Sequence, residues 1–316
     1  MPHRQRFPVS VRHAFALAFD LAFRRDPLHS LVIPFLLRAP WALAFPALPR
    51  LDEGARTLPA WMVLTGCLIA IGDFITLLVV SAMLRFRARS VYNAAPDTAP
   101  MSAVEGYRLA FGRVPWLVTT EIVRSVSLGL AASLAAFPAY IVLRAMESLL
   151  QDLGRNVILL VVSVCLALPV ILFGCRLAVA TEAVVLDDQD MAGAFIRSMK
   201  LMTGRFERWF ELIVASGMVV LTVALLCAVM TFVSPAIAGS PGVTVLWLLV
   251  VFINPVVLYA WAFFYLRLRE GEVVMEEEAR GGGEVAEAGD AGKVRPALRL
   301  VAPTGPGPAG EVPPGE

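Results

Sequence analysis

Charged side chains are scarce in this sequence: they make up 17% of its 316 residues, whereas hydrophobic residues make up 58%. No charged residue occurs anywhere between positions 212 and 266. Soluble globular chains carry more charge and fewer apolar residues. At a rise of about 1.5 Å per helical residue, this uncharged stretch is long enough for two membrane crossings. The composition therefore excludes an ordinary soluble domain and predicts an all-α membrane protein.

Residues that commonly do chemistry are also rare. The only histidines are His3, His13 and His29, and the four cysteines lie in apolar runs without the spacing of metal ligands. No H-E-x-x-H, G-x-S-x-G or P-loop pattern occurs. We therefore predict no catalytic residue, no metal and no cofactor, although a carboxylate-based membrane enzyme stays open. The net charge of +1, without a basic cluster, argues against a nucleic-acid partner.

The apolar runs predict six transmembrane helices, at residues 28–48, 60–84, 115–142, 157–180, 209–233 and 243–268. An amphipathic segment precedes the first, third and fifth of these. Two such segments cover residues 11–25 and 101–113, and the third has the apolar stripe Met191, Phe195, Met199 and Met202. Each is either a helix lying on the membrane surface or a linker helix packed on the others.

Arginines recur along the chain with a nearly constant spacing. The set that ends each pair of membrane helices, at intervals of 91 residues, is Arg85, Arg176 and Arg267. The set that ends each amphipathic helix, at intervals of 88 and 92 residues, is Arg25, Arg113 and Arg205. We therefore predict three repeat units, at residues 9–85, 100–176 and 189–267, in a membrane domain spanning 1–269. Coincidence among the many arginines is the alternative.

The distribution of positive charge predicts the orientation. The loops and helices on the N-terminal side contain 16 Lys and Arg residues, against 4 on the opposite side. By the positive-inside rule, the N-terminus, the amphipathic helices and the C-terminus are cytoplasmic. From Glu270 onwards the composition shifts to Gly, Glu, Pro and Ala, so we predict a disordered cytoplasmic tail over 270–316.

Four ionisable residues fall inside the predicted membrane helices, away from the helix ends, and form a candidate polar site. They are Arg38, Asp73, Glu121 and Arg124. Glu121 and Arg124 are three residues apart and can pair on one helix face, while Asp73 is expected to pair with Arg38 or Arg124. Such charges are costly in a bilayer. They either line a polar path between helices or fix the helix register as structural ion pairs.

One stretch resembles a known family. Ala194, Arg197, Ser198, Leu201 and Gly204 form an A-x-x-R-S-x-x-L-x-x-G pattern after an acidic turn. This pattern resembles the glycerophosphoryl diester phosphodiesterase membrane domain family, with motif similarity over residues 183–209 and similar architecture over 9–269. The resemblance implies a multi-helix module of a bacterial inner membrane. The His and Glu motifs of the phosphodiesterase domain found in some members are missing, so it does not imply hydrolysis.

These observations favour a non-enzymatic, multi-pass cell-membrane module that binds membrane lipids or a partner protein. A homo-oligomer or another membrane protein is a possible partner class. The alternative is a transporter or permease for a small molecule or lipid, with a polar path between the helices.

Overall fold

The computed structural model describes residues 10–47, 59–92, 100–146, 155–233 and 240–284, and no strand occurs among them. π-Helical turns extend the first helix over Asp20–Arg25 and precede the second over Leu28–Val32. The α-helices are α1 (Val11–Phe19), α2 (Ile33–Ala47), α3 (Ala60–Tyr92), α4 (Ala103–Met146), α5 (Arg155–Arg176), α6 (Ala180–Leu186), α7 (Met191–Met202), α8 (Phe206–Val233) and α9 (Ser240–Glu284).

Within the described ranges, five stretches of helix are long and apolar enough to cross a membrane: Ala60–Tyr92, Ala103–Pro138, Ala167–Leu186, Phe206–Val229 and Thr244–Glu272. A sixth span arises if the bent pair Val11–Arg25 and Leu28–Ala44 counts as one. Leu64, Leu134 and Leu225 on these spans are largely exposed, as side chains that face lipid would be. The described part of the chain is therefore all-helical, and its long apolar helices indicate a multi-pass membrane protein.

The first helical pair bends by 109° at Asp26 and Pro27. A proline disfavours helical geometry in the residue before it, and Asp26 has φ −154° and ψ 71°. The Asp26 carboxylate then accepts a hydrogen bond from the backbone N–H of His29, at 3.2 Å. This bond satisfies a backbone donor at the start of the second segment that would otherwise be free. Pro27 thus causes the bend, and the Asp26 side chain caps the helix that follows it.

The expected break between residues 101–113 and the third membrane helix is wrong, because α4 runs without interruption through Pro115 and Pro138. Pro115 follows Arg113 by two residues but does not end the helix. The equivalent point after α7 differs, because that helix ends at Met202 and a turn follows through Thr203 and Gly204. Gly204 has φ +72°, a conformation that suits glycine in such a turn. The matching Gly112–Arg113 and Gly204–Arg205 pairs therefore occupy different local structures.

The fourth predicted membrane helix is also interrupted. α5 ends at Arg176 and α6 begins at Ala180. The hydroxyl of Ser198 on α7 donates to the Arg176 carbonyl at 2.8 Å and accepts from the Val179 N–H at 3.3 Å. The Arg176 carbonyl and the Val179 N–H lose their helical hydrogen bonds at the turn, and the Ser198 hydroxyl replaces them. The helix can therefore break in a buried region without leaving these backbone groups unpaired.

Tight packing is concentrated where α3 ends and α6, α7 and α9 meet. The buried core includes residues 78–85 of α3, all of α6, and residues 262–266 of α9. Ala194, Leu201 and Met202 present the apolar face of α7 to this core. Both α1 and α4 add small buried side chains, such as Ala18 and Ala110. The polar site described next lies at this packed end.

The chain forms two compact units, Met1–Val273 and Val274–Glu316. The tail was expected to be disordered from Glu270 onwards, but α9 continues to Glu284. The rest of the predicted tail, residues 285–316, lies outside the described residues.

Candidate functional site

Three arginines at alternate positions near the end of α3 point to different partners. Arg85 donates to Glu182 Oε1 through Nη2 and Nε, at 2.6 and 3.1 Å, and to the Thr181 hydroxyl at 3.3 Å. Both members of the ion pair are buried, with side-chain exposures of 7% for Arg85 and 2% for Glu182. This bond network joins α3 to α6.

Arg87 is fully buried and holds the bend of the first helical pair. Its Nη2 contacts the carboxylate of Asp26, which also contacts the His29 ring at 2.8 Å. Close by, the hydroxyls of Ser30 and Tyr259 are hydrogen-bonded at 3.0 Å. Arg87 Nε and Nη1 have no hydrogen-bond partner among the described residues. Arg87 therefore ties α3 to the chain turn between α1 and α2.

Asp187, directly after α6, is the centre of a second polar network. Its Oδ1 lies 3.0 Å from Arg269 Nη1, its Oδ2 lies 3.5 Å from Arg197 Nε, and Tyr265 donates to Oδ2. Glu272 contacts Arg197 at 2.5 Å and Lys200 at 2.7 Å. The network links α7 to α9 around the end of α6.

These ion pairs are close but poorly aligned. Neither Oδ1 of Asp187 nor either carboxylate oxygen of Glu272 accepts a well-aligned hydrogen bond within the described residues. Burial would by itself lower the pKa of the Arg197 guanidinium, but the Glu272 carboxylate, with Tyr265 and Asp187, outweighs burial and raises this pKa. Arg197 is therefore held firmly in its cationic form.

An open cleft of about 770 Å³ lies at this end of the molecule, between α3, α4, α6, α7 and α9, and we name it the basic cleft. Its charged lining residues are Arg89, Arg113, Arg197, Lys200, Arg269, Asp187 and Asp188. Arg89 donates to the Leu186 carbonyl at 2.8 Å, and Arg113 contacts Asp188. With five cations against two carboxylates, the lining has an excess of positive charge.

The predicted intramembrane residues form two ion pairs and do not form one cluster of four. Arg38 binds Asp73 through three contacts of 3.0–3.1 Å. Of the two partners predicted for Asp73, Arg38 is therefore the one it has, and Arg124 is not. Arg124 pairs with Glu121 at 2.8 Å within α4. Glu121 is also within electrostatic range of Arg85 and Glu182. Whether these pairs serve a function stays a prediction.

The six arginines of the predicted repeat make unlike contacts. Three belong to ion pairs, Arg25 with Asp20, Arg85 with Glu182 and Arg113 with Asp188. Arg205 donates to the Leu201 carbonyl at 3.1 Å. Arg176 is exposed and Arg267 is partly buried. The regular spacing therefore does not correspond to one repeated interaction.

The residues of the family-like motif have clear structural roles. Ala194, Ser198 and Leu201 lie on the buried face of α7, and Gly204 lies in the turn that follows the helix. Arg197 is the motif residue that reaches the basic cleft. The motif therefore describes how α7 packs on the bundle and places one cation at the cleft.

The sequence patterns did not identify four residues of the site. They are Arg87, Arg89, Asp187 and Glu272. An available signal was the alternation of Arg85, Arg87 and Arg89 at the end of an apolar helix. Among the described residues, no group of three His, Cys, Asp or Glu side chains could hold a metal ion. Comparison of the chain with models of protein families, with curated proteins and with solved structures finds no match.

Proposed function

We propose that this protein is a non-enzymatic membrane module that binds the phosphate group of phospholipid headgroups in its basic cleft. The observation behind the proposal is the convergence of five cationic side chains from α3, α4, α7 and α9 on one open cleft. Arginine offers several N–H donors in a planar fork that matches phosphate oxygens. Spacing cations around a cleft suits a bound anion better than scattering them over a surface.

The internal carboxylates support this role because their contacts with the cations are close but poorly aligned. Glu272 neutralises part of the charge of Arg197 and Lys200, but its oxygens accept no well-aligned hydrogen bond. An incoming phosphate that forms well-aligned bonds therefore replaces weak contacts with strong ones. With Glu272 included, the cations around the cleft still exceed the carboxylates by two.

A lipid suits the cleft better than a soluble phosphate compound. The cleft is also lined by the apolar side chains Phe86, Leu109 and Ile196, of which Ile196 is 64% exposed. It lies where the long apolar helices α3, α4 and α9 reach one end of the bundle. A headgroup bound among the cations would therefore have apolar surface beside it for the first carbons of its chains.

The orientation and repeat organisation belong to the same proposal. The excess of positive charge on the N-terminal side supports a cytoplasmic cleft, in a membrane of the bacterial inner-membrane type that the family resemblance implies. α1 and α7 would be amphipathic surface helices, and the three arginine-spaced units would be diverged repeats. In a chain free of native cysteines, Arg24→Cys should react with a membrane-impermeant thiol reagent only from the cytoplasmic side, and Arg144→Cys only from the opposite side.

Lipid retention by the full-length protein tests the binding site directly. Protein purified in mild detergent is mixed with equal amounts of phosphatidylglycerol and phosphatidylcholine, and the bound lipids are counted by native mass spectrometry. We expect preferential retention of phosphatidylglycerol. Arg113→Gln or Arg269→Gln should each weaken it by about fivefold, since one cation near an anionic headgroup contributes about 1 kcal/mol.

Arg208→Gln is the matched control, because Arg208 is an exposed arginine of α8 outside the cleft. Its variant should bind phosphatidylglycerol like the wild type. Inorganic phosphate added in excess should compete only weakly if the apolar lining contributes. Equal retention of the two lipids, or equal losses in Arg208→Gln and Arg113→Gln, would overturn the proposed site.

A further inference from the structure

Two ion pairs lie deep in the apolar helices yet are not fully buried. In the Arg38–Asp73 pair the aspartate side chain is 30% exposed, and in the Glu121–Arg124 pair the arginine is 30% exposed. Their neighbours along the helices, Phe74 and Ile122, are exposed apolar residues. Each pair is therefore only partly covered by protein and lies on helices that expose apolar side chains.

The two pairs continue inward from the basic cleft. Glu121 is 8 residues along α4 from Arg113, which corresponds to about 12 Å. Asp73 is 16 residues along α3 from Arg89, or about 24 Å. A hydrocarbon core is about 30 Å thick. Polar groups therefore recur at steps of roughly 12 Å through most of that thickness.

Charged groups at such depth change the membrane around them. Exposing a charge to hydrocarbon is so costly that lipids and water adjust, by local thinning of the bilayer and by water entering beside the charge. The fully buried Arg85–Glu182 pair has no such effect, because protein surrounds it. The two partly exposed pairs are thus placed to draw headgroups and water inward along α3 and α4.

We propose that this protein moves phospholipids between the two leaflets, with the headgroup passing from the basic cleft along the Glu121–Arg124 and Arg38–Asp73 pairs. At the Glu121–Arg124 pair the more exposed partner is the guanidinium, which suits the headgroup phosphate. At the Arg38–Asp73 pair it is the carboxylate, which suits a headgroup ammonium, so a phosphoethanolamine headgroup finds one partner at each step. The acyl chains stay in the hydrocarbon. The movement is passive and runs in both directions, and it rests on the proposed function of the cleft as the entry point.

A lipid-scrambling assay with the full-length protein in liposomes tests the proposal. The liposomes contain phosphatidylglycerol, phosphatidylethanolamine and a trace of fluorescent phosphatidylethanolamine, and dithionite bleaches the label in the outer leaflet. Wild-type protein should allow nearly complete bleaching, whereas protein-free liposomes keep their inner-leaflet signal. The double variants Glu121→Leu/Arg124→Leu and Arg38→Met/Asp73→Leu should each slow scrambling at least about tenfold.

The matched control is Arg85→Met/Glu182→Leu, which removes an ion pair of the same chemistry from a fully buried position. It should scramble within about twofold of wild type. Monodisperse elution of each variant in detergent checks that it is folded. Wild-type liposomes that bleach no further than protein-free ones would overturn the inference, as would folded Glu121 and Asp73 double variants that scramble at the wild-type rate.

The two proposals fail separately. Selective retention of phosphatidylglycerol without scrambling would remove lipid translocation and leave the binding module. Scrambling that depends on the two ion pairs, but is unchanged in Arg113→Gln and Arg269→Gln, would keep the path and remove the cleft as its entry.

Discussion

The buried Arg85–Glu182 pair provides the sharpest stability prediction. Arg85→Met removes both N–H donors of Glu182 Oε1 and leaves only the Thr181 hydroxyl, which donates to Oε2 at 3.0 Å. The carboxylate is 2% exposed and would lose its ion-pair partner among the described residues. Losing one partner of a buried pair costs about 3–5 kcal/mol. At about 2 °C per kcal/mol, the value for larger domains, the midpoint of thermal unfolding should fall by about 6–10 °C.

The double variant Arg85→Met/Glu182→Leu should behave differently from either single variant. It removes both charges, and apolar replacement of a whole buried ion pair is often neutral or stabilising. We therefore expect most of the lost stability to return, with a coupling free energy of about 2 kcal/mol or more between the two sites.

The assay is thermal unfolding of the full-length protein in mild detergent, followed by tryptophan fluorescence. Arg24→Met is the control, because Arg24 is 85% exposed and lies 3.9 Å from Asp20, a surface pair worth about 1 kcal/mol or less. A single variant Arg85→Met within about 2 °C of wild type would refute the reasoning, and so would a double variant that is no more stable than the single ones.

Three further substitutions test local packing by the same unfolding assay. Ser198→Ala leaves the buried Val179 N–H without its acceptor and should cost about 1–3 kcal/mol, whereas Ser198→Thr should cost less if the hydroxyl is what matters. Gly204→Ala places a Cβ at φ +72° and should cost about 1 kcal/mol, so an unchanged midpoint would contradict the assigned helix end. Gly72→Ala puts a Cβ 2.4 Å from the Trp41 ring and should cost about 1–3 kcal/mol, which the added change Trp41→Leu should partly restore.

Local sequence patterns were enough to predict the helices and the shortest-range pairings. Glu121 and Arg124 are three residues apart on one helix, so their pairing follows from helical geometry. The Arg38–Asp73 contact was predictable because each is a rare charge in neighbouring apolar helices. Next to Asp73, Gly72 is a point of close helix approach, with Trp41 packed against it.

Contacts between distant segments were not predictable in this way. Arg87 and Asp26 are 61 residues apart, and the sequence around each residue does not indicate that the two form an ion pair. Glu272 was assigned to a disordered tail because the composition changes near Glu270, yet it lies at the cleft on a continuing helix. Composition averages over many residues, so it does not reveal a single carboxylate, such as Glu272, that lies on a helix next to the core.

Helix breaks were the least predictable feature. Pro115 suggested a boundary, but α4 continues through it, whereas Cys175 to Val179 contains no proline and breaks. In the second case the Ser198 hydroxyl, contributed from α7, supplies the bonds that the turn needs. A break that depends on a side chain from another element leaves no mark at its own position in the sequence.

The pairing of Asp26 with Arg87 fixes an order of events during biosynthesis. Asp26 leaves the ribosome 61 residues before its partner, which at typical rates of synthesis of 5–20 residues per second is a delay of about 3–12 s. Until then the first helical pair has a carboxylate at its bend without the cation that compensates it. The first hairpin can thus reach its final shape only after α3 has entered the membrane, so a nascent chain stalled before Arg87 would expose an immature amino-terminal segment to quality-control proteases.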